Sequence, residues 1–157
     1  MVSLIVLLGS NVDPEYWSEK IISILQTCSS VEKIGKPWKT KAEGCADAPN
    51  FINRAIKIRG KKTIEDWKVL FKKIEKKSGR QRSNDPNQPR TLDLDIVWFD
   101  GKWIDNPGLS RPYGIIPIAD VAGDLKGPDG FSLKQLAARL RKHPSILGIS
   151  KNQASLL

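Results

Sequence analysis

Asp93 and Asp95 stand two residues apart in Thr91-Leu92-Asp93-Leu94-Asp95-Ile96-Val97-Trp98-Phe99, and the apolar residues around them alternate as in a strand. Side chains alternate along an extended backbone, so Leu92, Leu94, Ile96 and Trp98 are expected on one face and Thr91, Asp93, Asp95 and Val97 on the other. The two carboxylates then point the same way, with Cα atoms roughly 6.5–7 Å apart. Like charges facing a core would repel and lose hydration. Two divalent cations about 3.5–4 Å apart could instead each take a carboxylate oxygen and a phosphate oxygen. Arg90, with Arg80 and Arg82 upstream, adds cations suited to the same phosphates. The alternative is a strand whose polar face meets water, with both carboxylates solvated or paired to lysines.

A second candidate lies in Phe51-Ile52-Asn53-Arg54-Ala55-Ile56-Lys57-Ile58-Arg59. Phe51 and Asn53 fall on one side of this strand, where a ring and an amide could stack on and hydrogen-bond a flat heterocycle. A half-exposed Phe beside a surface Asn is the plainer reading. The apolar phase slips near Ala55, which suggests a bulge.

These two strands need elements to hold them, and the chain supplies a regular series. Met1 to Leu8 is an apolar strand, too short to span a bilayer and without a signal peptide's basic start; it ends in the turn Gly9-Ser10-Asn11. Asp13-Pro14 sets an N-cap and first-turn proline for a helix striped by Trp17, Ile21, Ile24, Leu25 and Cys28. Val31 to Trp38 is a strand, and 40–49 a loop. Thr63 caps a helix with Asp66 at the capping-box position and Ile64, Trp67, Leu70, Phe71 and Ile74 along one side. Gly79 stops it. The polar stretch 80–89 then forms a loop, either a passive connection or a lid over phosphates. After Asp100-Gly101 come a brief strand at Lys102-Trp103-Ile104, an apolar run in which Pro117 starts a short helical turn, and a helix capped by Ser132. The order strand, helix, strand, strand, helix, strand predicts an α+β fold: a ferredoxin-like βαββαβ core, helices on an antiparallel sheet, with short C-terminal additions. Residues 1–157 are read as a single domain.

Composition narrows the partners without choosing one. The chain has 157 residues, 39% hydrophobic and 27% charged, with a formal net charge of +9; this is ordinary for a globular protein with an anionic ligand. Cys28 and Cys45 have no metal-like spacing, so reduced thiols in a cytoplasmic protein are expected. His143 stands alone and reads as a surface residue. No glycine-lysine phosphate loop follows Gly9-Ser10-Asn11. A basic ferredoxin-like module that binds RNA is the alternative class, although the aromatic-glycine-aromatic signature is missing and two acidic side chains on the binding face would repel phosphate.

Taken together, Leu8-Gly9-Ser10-Asn11, Pro49-Asn50-Phe51-Ile52-Asn53, Ile74-Glu75 with Gly79-Arg80, Pro89-Arg90-Thr91-Leu92-Asp93-Leu94-Asp95-Ile96 and Arg111-Pro112-Tyr113 resemble the 6-hydroxymethyl-7,8-dihydropterin pyrophosphokinase family of folate biosynthesis. The resemblance covers roughly residues 4 to 131, and the block around Asp93 carries most of its specificity. It implies transfer of pyrophosphate from ATP to the hydroxymethyl group of a reduced pterin, with release of AMP. By that resemblance Asp93 and Asp95 hold two Mg²⁺ ions, and Arg80, Arg82, Arg90 and Arg111 meet phosphates. Glu75, Ile96 and Asn106 also belong to the ATP side. Thr40, Glu43, Phe51, Asn53 and Tyr113 form the pterin side, with Phe51 and Tyr113 sandwiching the ring. The expected partners are small molecules, with no nucleic acid and no membrane; a monomer is expected, and a dimer is left open. A phosphotransferase with another hydroxyl acceptor differs only around Phe51 and Asn53.

The chain departs from the family pattern in three places. Asn106-Pro107 stands where a His-Pro pair is usual, Asn87 takes the place of a lid tryptophan, and the stretch between Asp95 and Arg111 is short. An amide donates hydrogen bonds but carries no charge. Weakened ATP handling, or compensation by a cation such as Lys102, is expected.

Overall fold

The computed structural model describes residues 1–43, 47–79 and 92–150. The expectations placed on Arg80, Arg82, Asn87, Arg90, Thr91, Cys45 and the lid fall outside the described residues.

Strand β1 (Val2–Ser10) is the spine of the sheet. Leu4 to Leu8 are buried without a break, because this strand is covered on both faces: Leu4, Val6 and Leu8 enter one core, Ile5 and Leu7 the other. A continuous apolar run is what such a strand requires. It pairs antiparallel with β4 (Phe51–Gly60) on one side and with β5 (Asp93–Phe99) on the other. β2 (Ser30–Ile34) and β3 (Trp38–Thr40) both pair with β4. β6 (Lys102–Trp103) flanks β5 and β7 (Ile146–Ile149) flanks β3, which gives the order β6-β5-β1-β4-β3-β7 with β2 beside β4. The sheet is antiparallel throughout, and the fold is α+β, as the element order implies.

Helices α1 (Pro14–Cys28) and α2 (Ile64–Lys77) cover one face. Ile21 and Leu25 of α1 meet Trp67, Phe71 and Ile74 of α2 over Val6, Ile56, Ile58, Leu94 and Ile96. Thr63 caps α2 by accepting the Asp66 N–H at 3.2 Å, and Gly79 follows it at φ +89. Burial pushes the thiol of Cys28 up, with Lys62 opposing, so the sulfur stays a neutral thiol at neutral pH. On the opposite face, α3 (Pro112–Ala122) and α4 (Leu133–Leu140) bury Ile115, Ile118, Val121 and Leu133 against Ile5, Leu7, Ala55 and Val97. Ser132 caps α4 through the Gln135 N–H at 3.1 Å. None of the described helices is long and apolar enough to cross a membrane.

Several local expectations are corrected. The strand read as 31–38 breaks into β2 and β3 at Gly35-Lys36-Pro37, where proline withholds a ladder donor. Asp13 and Pro14 do stand at the N-cap and first turn as expected, and only the side-chain cap bond is missing, with Asp13 in the left-handed region (φ 48). Pro117 lies inside α3 rather than at a helix start; having no N–H, it makes no intrahelical bond to the Tyr113 carbonyl. β4 carries no bulge against β1: its register runs unbroken from Gly60 to Ile52. The apparent slip comes from Arg54, which takes an inward position on the α1 face and satisfies its guanidinium there. Its Nη1 donates to Glu19 Oε1 at 2.9 Å and its Nε to the Gly35 carbonyl at 2.7 Å. Irregularities lie in partner strands instead: in β2, where Glu32 is extra opposite Ile58 and Lys57, and in β5. Ile5 pairs with Trp98 and Val6 with Ile96, so Val97 is an extra residue. Trp98 therefore joins Val97 on the α3 face while Phe99 joins the α2 core. Asp100 (φ 48) and Gly101 (φ +86) then form the two-residue hairpin turn to β6.

Candidate active site

The antiparallel registers bring the two candidate strands to one place. Gly9 pairs with Asn53 on β4 and with Asp93 on β5, and Leu7 pairs with Ala55 and Asp95. Asn53, Gly9 and Asp93 thus form one row across three strands, with Asp95 in the next row on the same face. Two strand spacings separate Asn53 from Asp93, about 9.5 Å. Gly9 suits the middle of that row: a Cβ there would come within 3.1 Å of Asn53 Oδ1.

Asn53 is 5% exposed and its Nδ2 donates to Thr40 Oγ1 at 2.7 Å. Thr40 is opposite Phe51 in the β3–β4 ladder, so the residue that holds the amide belongs to the strand beside Phe51. The plainer reading of Asn53 as a surface residue is overturned: opposite Gly9 it is covered by β3.

Above this face the chain from β6 passes through a 3₁₀ turn, Pro107–Ser110, into α3. Asn106 Oδ1 accepts the Gly108 N–H at 2.8 Å and caps that turn. With its oxygen engaged, the amide's remaining polar end is a donor. The turn and α3 touch backbone to backbone, since a Cβ on Gly114 would lie 2.1 Å from the Gly108 carbonyl oxygen. This contact holds Asn106 close to Tyr113 at the helix start.

The result is a cavity of about 310 Å³. Gly9, Thr40, Phe51, Asn53, Asp93 and Asp95 line it from the sheet, Lys41, Ala42 and Glu43 from the segment after β3, and Asn106, Pro107 and Tyr113 from above. A second cavity of about 370 Å³ adjoins it on the outer side of β5. Its walls are Lys68, Phe71, Lys72 and Glu75 of α2, residues 93–96, and Ile104, Asp105 and Asn106. Asp93, Asp95 and Asn106 belong to both. The structure therefore brings the five residues expected on the pterin side into the first cavity, and Glu75, Ile96 and Asn106 into the second.

Glu75 is 5% exposed, and its Oε2 accepts the Leu94 N–H at 2.9 Å. β6 pairs with Trp98 and Phe99 but not with residues 93–96, so this carboxylate takes the place of a neighbouring strand between the two aspartates. Arg111 lines neither cavity. Its guanidinium is exposed beside Glu43, with Nε 3.9 Å from Oε2. Lys102 lies on β6, outside both walls.

Lys68 and Lys72 are site residues that the sequence reading missed. They sit seven and three positions before Glu75 on α2, and that spacing puts all three on one helix face. The available signal was the buried Glu75 at the edge of the apolar stripe; without it, two lysines on a basic helix read as solvated charge.

The donor set fits a hard divalent cation. Two carboxylates project from one strand face into cavities open enough for phosphate and water. Among the described residues no group of three His, Cys, Asp or Glu gathers to hold a metal. Magnesium is commonly held by one or two carboxylates, with substrate phosphate and water filling the remaining positions.

Several known proteins are similar to this chain. The family model described as 7,8-dihydro-6-hydroxymethylpterin-pyrophosphokinase (HPPK) matches residues 5–123. The 2-amino-4-hydroxy-6-hydroxymethyldihydropteridine pyrophosphokinase of Pseudomonas aeruginosa is 36% identical over 103 residues, 60% of this chain and 63% of that protein, so the match spans a little under two thirds of its length. The protein of the same name from Haemophilus influenzae is 29% identical over 160 residues, 93% of this chain and 98% of that protein. The one from Aquifex aeolicus is 30% identical, covering 72% of this chain and 71% of its own length.

Proposed function

The chain belongs to the 7,8-dihydro-6-hydroxymethylpterin-pyrophosphokinase family, which passes pyrophosphate from ATP to a hydroxymethyldihydropterin in folate synthesis, and from that premise we propose how its residues divide the work. The pterin takes the first cavity, its ring between Phe51 and Tyr113 and its polar edge on Asn53. ATP takes the second, with its phosphates directed toward Asp93 and Asp95 and toward the amide donors of Asn106. The single observation that carries this reading is that Asp93 and Asp95 line both cavities: the boundary between them is where acceptor and donor must meet.

In the reaction the pterin hydroxymethyl oxygen forms a bond to the β-phosphorus of ATP, the bridge to the α-phosphorus breaks, AMP leaves, and the hydroxyl proton is released. Little covalent chemistry falls to the protein, whose task is positioning and charge neutralisation. Asn53, fixed by Thr40, sets the pterin so that its hydroxymethyl arm extends along the sheet row toward Asp93. Two Mg²⁺ ions held by Asp93 and Asp95 would neutralise the phosphate charge that otherwise repels the incoming oxygen. Lys68 and Lys72 add cationic character on the nucleotide side, where the family's usual histidine is replaced by Asn106. Glu75 keeps residues 93–95 extended, so that both carboxylates point the same way.

The test is incubation of the folded protein with ATP, Mg²⁺ and 6-hydroxymethyl-7,8-dihydropterin, with AMP and the pterin pyrophosphate measured together. Both products are expected in equal amounts. Folded protein that yields neither removes this reading.

A further inference from the structure

Asp120 lies seven residues, two helical turns, beyond Tyr113 on α3, which places the two on one face about 10.5 Å apart along the axis. Its Oδ2 accepts two hydrogen bonds from β3 and the break before it: from the Lys36 N–H at 2.9 Å and from Trp38 Nε1 at 2.8 Å. Trp38 is 4% exposed, and the Arg141 guanidinium lies 5.2 Å from its ring centre. Trp38 pairs with Asn53 in the β3–β4 ladder, two residues before Thr40, whose hydroxyl holds the Asn53 amide. The Gly35 turn is gripped from the other face as well, because Arg54 Nε donates to its carbonyl. Space there is tight: a Cβ on Gly35 would lie 3.1 Å from Asp120 Cβ and 2.9 Å from the Ala55 carbonyl oxygen.

We propose that Asp120 is a positioning residue for the acceptor cavity: by tying Trp38 and Lys36 to α3, it sets the distance between the Thr40–Asn53 pair on the sheet and Tyr113 on the helix. The inference rests on the assignment of the pterin to this cavity. The slot for a flat ring is bounded by two elements, β4 with β3 on one side and the start of α3 on the other. A ring sandwich tolerates little change in width, since a gap of about 0.5–1 Å already forfeits a quarter to a half of the dispersion attraction. α3 is fixed to the sheet by apolar packing, which is non-directional. The charge-assisted bonds to Asp120 are directional and fix β3 along the helix axis. Asp120, Lys36 and Trp38 line neither cavity, and the clamp reaches the first through Thr40 and Asn53, which do not line the second.

Asp120→Ala leaves the Trp38 and Lys36 donors without this acceptor. It is expected to raise the pterin KM about fivefold, with the ATP KM and the thermal midpoint read alongside. Because both bonds end on one oxygen, Asp120→Asn retains an acceptor and is expected to restore the pterin KM. Trp38→Phe keeps the ring and loses the donor; it should shift the pterin KM in the same direction, and it supplies the reading if Asp120→Ala does not fold. An ATP KM that rises in parallel, or a lowered midpoint with the pterin KM unchanged, reduces Asp120 to a structural residue and overturns the proposal. Direct pterin binding to the wild type, followed by fluorescence, separates the two assignments: no binding removes the cavity assignment itself, whereas wild-type binding with an unshifted Asp120→Ala sinks only the clamp.

Discussion

Asn53 and Asp93 stand on either side of Gly9 in a single row of the sheet, each directly opposite it in its own ladder. The group expected to read the pterin and the carboxylate expected to meet phosphate are thus held at a spacing fixed by backbone hydrogen bonds. The absence of a side chain at the middle position spares the Asn53 amide a close contact at 3.1 Å.

Gly9→Ala tests that spacing. The added Cβ would lie 3.1 Å from Asn53 Oδ1, so the amide must give by a few tenths of an ångström and strain its bond to Thr40. A several-fold rise in pterin KM is expected, with a stability loss below about 1 kcal/mol, read by steady-state kinetics and thermal unfolding. Unchanged pterin KM would mean that Asn53 does not set the acceptor.

Asp95→Ala removes one of the two oxygen donors shared by the cavities. Turnover should fall by about a thousandfold, while stability changes little, because the side chain opens on both cavities and takes no part in either core. AMP release and a melting curve report the two quantities. A chelator should abolish nucleotide binding, and added Mg²⁺ should restore it; binding that survives chelation would sink the metal assignment.

Glu75 is expected to couple stability to activity. Glu75→Ala leaves the Leu94 N–H without its 2.9 Å acceptor, at a cost of about 1–3 kcal/mol. Turnover should fall as well, because residues 93–95 lose what holds their outer edge. Glu75→Gln keeps an acceptor oxygen and should recover most of both. If Gln fails as badly as Ala, the carboxylate charge and not the hydrogen bond is what matters.

Lys68 and Lys72 line the second cavity and not the first. The double change to alanine should raise the ATP KM several-fold and leave the pterin KM unaltered. The effect should shrink with added salt, as expected for partly solvated charge. An equal change in both constants would place these lysines outside substrate binding.

Much of the architecture is legible in the chain because it is written in local periods. The strand period puts Asp93 and Asp95 on one face, the helical stripes of α1, α2 and α4 name their buried sides, and Thr63, Ser132, Gly79 and Asp100-Gly101 mark ends whose chemistry is local. The same logic misplaced Trp98 and Ala55, because an extra residue at Val97 and a buried, ion-paired Arg54 alter the pattern for reasons that lie in neighbouring strands.

What the sequence by itself determined is the element and face that Asn53, Asp93 and Asp95 ride on, since side-chain direction follows from backbone period within a few residues. What only the tertiary structure decided is which residues meet: Asn53 and Asp93 across Gly9, Glu75 on Leu94, Lys68 and Lys72 beside the aspartates, and Asp120 on Trp38. Those meetings depend on strand register and on how helices seat against a sheet. Both are set by the packing of apolar faces far apart in the chain, and no local run of residues contains that information.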